Sequence, residues 1–375
     1  RCASSRVLLE QLVVTDFRNY AALDFSPARG LNVFVGPNAQ GKSNLLEAIA
    51  MLATGKSFRA TRETETIRAG ATHAEISGVA RVAAGTIRLR CSIDASASGA
   101  RKKYDVNGAS VGFGAFLGRA RVVTFVPADL GLVSGSPTLR RSFLNAALAQ
   151  ESPLYYRALA RYQKVSAQKS ALLRGLVDPD ADLLAAYDEA LAESGAVIVH
   201  ARAAFVRELA EASERIYARW EGAGERLAIR YAPSVPLDEV DDTRLSEIRA
   251  ALSARLELRR PSEIVRRTTL VGPHRDDLSL AIDGVPLAAY GSQGQQRTAV
   301  LALKVGEYDV MHARSGDAPI LLLDDVLSEL DPERAAGFLG ALEGFEQAFL
   351  TTTDAPVLDA SVHAFAVRAA TVRPL

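Results

Sequence analysis

Eight residues near the start of the chain, Gly36-Pro37-Asn38-Ala39-Gln40-Gly41-Lys42-Ser43, carry the spacing G-x-x-x-x-G-K-[ST]. They follow a short apolar run at 31–35 (LNVFV) and precede a helix-like stretch from Ser43 to about Leu52. In that setting the pattern reads as a phosphate cradle. Gly36 and Gly41 let consecutive N–H groups turn toward an anion, and the following helix adds its N-terminus. Lys42 then reaches the terminal phosphoryl oxygens and Ser43 offers a hydroxyl to Mg²⁺. A chance glycine turn requires neither the strand nor the helix, so the flanks favour the cradle, and a nucleotide with Mg²⁺ is the expected ligand.

A second arrangement points the same way. Ile320-Leu321-Leu322-Leu323-Asp324-Asp325 is an apolar strand ending in two acids, which would deliver Asp324 to a metal ion and Asp325 toward an attacking water. Alone it could be a buried strand closing in a solvated acidic turn; together with the phosphate loop it reads as chemistry. Between the two lies Gly291-Ser292-Gln293-Gly294-Gln295-Gln296, opening a helix-like run. Ser292 and the N–H of Gly294 thus stand at a helix start suited to a phosphate.

The elements that must hold these residues are partly readable. Residues 7–14 read as a strand, and 74–126 alternate as strands with a tight-hairpin signal at Asn107-Gly108, so an antiparallel β sub-lobe is expected there. From about 138 to 260 the periodicity is helical, with Ser152-Pro153 as N-cap and first helical residue. Beyond Pro261 strands return, with a second hairpin signal at Asp283-Gly284 and a helix from about Gln295 to Ala313. The fold class is α/β, with a head over 1–137 and 261–375 interrupted by a helical lobe at 138–260.

The chain has 375 residues, 48% of them hydrophobic, enough for a sizeable core, while 44 Lys+Arg balance 44 Asp+Glu. Any contact with nucleic acid must therefore come from local clusters. Residues 152–177 contain no acid yet carry Arg157, Arg161, Lys164, Lys169 and Arg174 among three tyrosines. Arg157, Arg161 and Lys164 share one helical face. Arg157, Arg161, Lys164 and Lys169 are candidate contacts to DNA phosphates; a solvated helix face would show the same pattern. Cys2 and Cys91 have neither disulfide-framework nor zinc spacing. No apolar run reaches the ~18 residues of a membrane span, so a soluble cytoplasmic protein with no membrane partner is expected.

At this point a family resemblance becomes specific. Ser292-Gln293-Gly294-Gln295 resembles the signature of ABC-class ATPases, and LLLDDVLSELD at 321–331 resembles their Walker B strand with the D-loop at 328–331. Phe17-Arg18-Asn19-Tyr20, GKSFR at 55–59, GSPTLRRSFLN at 135–145, GPHRDD at 272–277 and SQGQQR at 292–297 resemble the RecF family, over about residues 7 to 355. The resemblance implies an ABC-type P-loop ATPase head in which residues 36–43 and Asn44 hold ATP, with Arg18 and Arg59 near the nucleotide. It assigns Mg²⁺ to Ser43 and Asp324, and the catalytic positions to Lys42 and Asp325. Ser292, Gln293, Gly294 and Gln295 would touch the γ-phosphate on the other subunit, so that ATP links a homodimer. It further implies a clamp on double-stranded and gapped DNA, with RecR and RecO as partners in loading recombinase, and roles in replication, recombination and the SOS response.

Two departures from the wider ABC pattern bear on rate. Asp325 stands where a Glu is usual, and Thr351-Thr352-Thr353-Asp354 offers no switch histidine. Slow hydrolysis is therefore expected, and the resemblance implies that DNA stimulates it. His274 is either structural or close to the γ-phosphate. A transporter cassette would share the motifs but not the roughly 250 residues between phosphate loop and signature. A long-reach DNA tether would need coiled-coil heptads, absent from 138–260, and a small-molecule kinase would make the signature a coincidence.

Overall fold

Along Leu8–Phe17 the residues Leu12, Val14 and Phe17 point into a core, and a register shift between Leu9 and Gln11 puts Leu8 and Leu9 inside together. The structure, a computed structural model, describes residues 5–97, 99–175, 179–221, 224–235, 244–329, 338, 344–353 and 362–375. The chain divides into two compact units, Arg1–Leu130 with Lys304–Leu375, and Gly131–Leu303.

The first unit holds two six-stranded sheets. One is antiparallel, in the order Tyr20–Phe25, Leu8–Phe17, His73–Val82, Gly85–Ser96, Gly99–Val106, Ala109–Val111. Asn107 and Gly108 turn its last hairpin with φ 53° and 83°, both in the left-handed region that this tight turn requires. The other runs Thr371–Pro374, His363–Arg368, Gly30–Val35, Gln347–Thr352, Ile320–Asp324, Val122–Phe125, parallel except for its outer strand Thr371–Pro374. Every residue of Ile320–Asp324 and Gln347–Thr352 is buried, as expected of parallel strands covered on both faces. Helix α1 (Lys42–Thr54) packs against strands of both sheets. Ten of its thirteen residues are buried, so it has almost no solvent face. A short helix, α2 (Phe113–Phe116), adds Phe116 to the same core.

Here the expected β sub-lobe at 74–126 needs correction at both ends. Leu8–Phe17 and Tyr20–Phe25 belong to the antiparallel sheet, while Val122–Phe125 joins the parallel one. Alternation identifies a strand but not its hydrogen-bond partner.

The second unit contains α3 (Gly131–Ser134), α4 (Pro137–Glu151), α5 (Pro153–Leu173), α6 (Ala181–Glu221), α7 (Leu245–Arg266), α8 (Leu287–Tyr290) and the start of α9 (Gln293–Ser315). Ser152 caps α5, its hydroxyl accepting from Tyr155 N at 3.2 Å. A three-stranded antiparallel sheet of Leu227–Ala232, Asp277–Ile282 and Val285–Pro286 completes it. The lobe expected at 138–260 thus extends to residue 303, because all six residues of Leu227–Ala232 pair with Asp277–Ile282 and draw that segment to the helices.

Candidate nucleotide site

In the first unit, Gly30–Val35 feeds the phosphate loop directly. A Cβ on Gly36 would lie 2.3 Å from the carbonyl oxygen of Val367, and Gly41 takes φ 115°, so both positions demand glycine. The loop is held from two sides. Asn19 Nδ2 donates to Gln40 O (3.2 Å) and the Tyr20 hydroxyl to Gly41 O (3.1 Å). Opposite them, the amides of Ala369 and Ala370 donate to Gln40 Oε1 (2.8 Å) and Gln40 O (3.1 Å). Pro37, Asn38 and Ala39 remain exposed at the tip. Lys42 arcs back over the loop, its Nζ donating to Gly36 O (2.5 Å) and Pro37 O (2.9 Å). Burial lowers the pKa of Lys42, and Asp325 and Asp324 oppose that shift by their charge, so phosphate loop and acidic strand end form one electrostatic site.

Asp324 is buried at the end of its strand. The Thr351 hydroxyl, on the neighbouring parallel strand, donates to Asp324 Oδ1 (2.8 Å) and accepts from the amide of Asp325 (2.9 Å). Asp325 itself takes φ 53°, turning the chain sharply out of the sheet. Ser43 Oγ and Asp324 Oδ2 have no hydrogen-bond partner among the described residues. Nor do those residues gather three or more His, Cys, Asp or Glu into a cage. That donor set fits Mg²⁺, which takes one or two protein ligands and completes its shell with phosphate oxygens and water.

Arg18 reaches the helix that follows the loop. Its Nε and Nη2 clamp the carboxylate of Glu47 on α1 (2.8 and 2.6 Å), and Nη1 donates to Glu65 O (2.8 Å). Glu47 is fully buried and also receives the Ser57 hydroxyl. A buried carboxylate needs a counter-charge, and Arg18 supplies it. Arg59 stays beside the first turn of α1, where Nη1 donates to Asn44 Oδ1 (3.1 Å) and Asn44 Nδ2 donates to Asn19 Oδ1 (2.8 Å). Sequence reasoning missed Glu47, Asn19 and Thr351. Asn19 stands in the motif at 17–20 and Thr351 in the 351–354 stretch, but neither position by itself indicated these contacts, and Glu47 carried no signal.

In the second unit, Ser292 and Gln295 form a reciprocal capping box. Gln295 N donates to Ser292 Oγ (3.1 Å) and Ser292 N to Gln295 Oε1 (2.8 Å). Gln295 Nε2 is anchored on Glu225 (2.8 Å), while Ser292 and Gln293 are exposed at the start of α9. Of the expected D-loop, Leu330 and Asp331 lie outside the described residues, as does Asp354.

The GPHRDD turn is held inside the second unit. Gly272 has φ 125° and faces the Tyr162 hydroxyl, which meets His274 Nδ1 at 2.6 Å, while His274 Nε2 meets Thr269 Oγ1 at 3.0 Å. Burial, then the Arg275 charge, pushes the His274 pKa down to about 4. Both ring nitrogens of this neutral histidine are engaged, which favours the structural reading. Arg157 and Lys164 are exposed on α5, and Arg161 pairs with Glu193 at 2.8 Å. Lys169 corrects the expected DNA surface. Its side chain is fully buried and its Nζ is paired with Asp188 and Glu263, each at 2.5 Å, so no charge is left for a phosphate.

Fold and site together define an ATPase head of the RecF/RecN/SMC kind; the family model for the RecF/RecN/SMC N terminal domain matches residues 8–372, and the chain belongs to that family. Within it, the chain falls among the RecF proteins. It is 40% identical over 349 residues to the DNA replication and repair protein RecF of Enterococcus faecalis, spanning 92% of each chain. Identity to the RecF of Shouchella clausii is 39% over 377 residues, 98% of this chain and 100% of the relative. The solved structure of the recombination mediator protein RecF-ATPrS in the RecFOR pathway matches with a TM-score of 0.90 at 33% identity, over 99% of this chain and 98% of that one. Among the described residues, no helix is long and apolar enough to cross a membrane.

Proposed function

We propose that this chain is a cytoplasmic, ATP-dependent DNA-binding repair protein, in which ATP joins two copies into a clamp on duplex or gapped DNA and slow hydrolysis releases it. The observation that carries this reading is the single electrostatic site of Lys42, Asp324 and Asp325, combined with an exposed, capped signature turn at Ser292. The names of its relatives, DNA replication and repair proteins, supply the DNA. The mention of the RecFOR pathway supports RecR and RecO as partners in loading recombinase.

In this mechanism, residues 36–44 wrap the phosphates with backbone N–H groups, and Lys42 leaves the carbonyls of Gly36 and Pro37 for the terminal phosphoryl oxygens. Ser43 and Asp324 would hold Mg²⁺, which would neutralise charge on the phosphates. Thr351 fixes the geometry of both acids, so Asp325 orients the attacking water. Its shorter side chain reaches less far than the usual Glu, which slows hydrolysis. Ser292 and the N–H groups of Gln293 and Gly294 bind the γ-phosphate held by the other copy, coupling dimerisation to ATP by mass action.

The test is binding to labelled gapped duplex DNA by fluorescence anisotropy, with ATP, ADP or no nucleotide at one fixed salt concentration. Tight binding with ATP alone is expected. No binding in any of the three states removes the DNA role, and turnover of many ATP per second removes the slow-hydrolysis step.

A further inference from the structure

A cavity of about 430 Å³ opens on the second unit between α4, α5, α6 and the Pro273-His274 turn. Its volume lies within the range of ligand sites, about 300–1,000 Å³, and exceeds what a single small ion needs. Helix α4 contributes Arg141, Ser142 and Asn145, and α5 contributes Gln163, Ser166 and Ser170. At helical spacing each set forms one face. Among the described residues, no Asp or Glu lines the cavity.

The charges behind the wall explain why this matters. Asp277 is clamped by Arg140 (2.6 and 2.9 Å). Asp276 is occupied by Arg202 (2.9 Å), the Tyr231 hydroxyl and the amide of Ser234 (2.8 Å). Both carboxylates are thus committed, and Arg141 is left with neutral acceptors only, donating to Asp276 O (2.9 Å) and Thr138 Oγ1 (3.0 Å). Its Nε has no partner among the described residues. The charges of Arg202 and Arg275 act against that of Arg141, and those of Asp277 and Asp276 act for it without a hydrogen bond to either carboxylate. Asn145 is similarly one-sided. Its Oδ1 accepts from Tyr155 (2.6 Å) and Arg202 (3.0 Å), which leaves its amide nitrogen as an unused donor among the described residues. Gln163, Ser142 and Ser166 have no hydrogen-bond partner there either. A concave wall lined by no carboxylate, with unused amide and hydroxyl groups and a guanidinium that hydrogen-bonds only neutral acceptors, suits an oxyanion.

We propose that this groove binds phosphoryl oxyanions, with the sugar–phosphate backbone of nucleic acid as their source. The choice of source rests on the DNA-binding function proposed above; the oxyanion chemistry does not. Arg141 supplies the charge, and the amide and hydroxyl groups of α4 and α5 grip the remaining oxygens without reading base sequence.

The test compares the unmodified full chain with Arg141→Gln and Ser166→Glu, keeping Gln163→Glu as a second carboxylate-bearing variant should either fail to fold by its thermal midpoint. Anisotropy with labelled gapped duplex DNA and ATP is read across a salt series, and the thermal shift given by inorganic pyrophosphate is read in parallel. Arg141→Gln is expected to reduce the slope of log affinity against log salt by about 1. Ser166→Glu is expected to weaken DNA binding about tenfold through like-charge repulsion. If the variants lose only part of the pyrophosphate shift and bind DNA unchanged, the anion site stands and nucleic acid as its source is overturned. Unchanged DNA slope, affinity and pyrophosphate shift in all variants overturn the groove. If the unmodified chain binds no DNA in any nucleotide state, the proposed function fails instead, and the pyrophosphate arm still decides the groove.

Discussion

Asp276 in the second unit and Asp324 in the first are both buried aspartates, 1% and 7% exposed, yet their surroundings are opposite. Asp276 receives a guanidinium, a phenol hydroxyl and a backbone amide. Asp324 receives one threonine hydroxyl and keeps Oδ2 without a partner among the described residues. A saturated buried carboxylate is scaffold, since its desolvation is offset by fixed partners. One left short of partners beside a lysine and a phosphate loop waits for a ligand. The same contrast separates Lys169, enclosed by two carboxylates, from Lys42, resting on carbonyls that a phosphate can replace.

The sharpest way to break this comparison is Arg202→Met, which strips Asp276 of its counter-charge. A loss of about 3–5 kcal/mol is expected in denaturant unfolding, and an unchanged midpoint would remove the scaffold assignment. Next comes pH. The His274 pKa falls from its ordinary 6.5 to about 4, so the unfolded chain binds more protons between those values. Its contribution to stability is complete above about pH 6.5 and is lost as pH falls toward 4. Thermal midpoints should drop across that window, and less steeply in His274→Gln. At Asp324 the expected change is in binding. Asp324→Asn retains the acceptor for Thr351 and should shift stability by less than about 1 kcal/mol. Its Mg²⁺-dependent ATP affinity should fall about tenfold, roughly 1.4 kcal/mol, by isothermal titration. The smallest effect belongs to Ser292→Ala, which removes half of the capping box and should cost about 1 kcal/mol in unfolding, with Ser292→Gly costing less.

Features encoded within a few residues were legible in the sequence. The phosphate loop, the Asn107-Gly108 hairpin and the Ser152 cap all lie where local chemistry put them. Partners far along the chain were not. Nothing near Asp277–Ile282 announces that it pairs with Leu227–Ala232, so helical periodicity alone ends the second unit before its strands. Lys169 shows the same gap at one side chain. It follows Lys164 by five residues, about 140° around the helix, and therefore leaves the face of Arg157, Arg161 and Lys164. Its carboxylates, Asp188 and Glu263, come from other helices. The partner of Arg18 inside the chain, Glu47, sits among the apolar residues of α1 with no local signal.

The burial of α1 on nearly every side has a dynamic consequence. Backbone amides along Leu45, Leu46, Ala48, Ile49 and Met51, all buried between two sheets, can exchange with solvent only when the first unit opens as a whole. Their deuterium uptake should therefore follow global unfolding rather than local fraying. Nucleotide arrival would slow that uptake by raising the unfolding free energy, while the exposed tip at Pro37, Asn38 and Ala39 would exchange on a separate, faster clock.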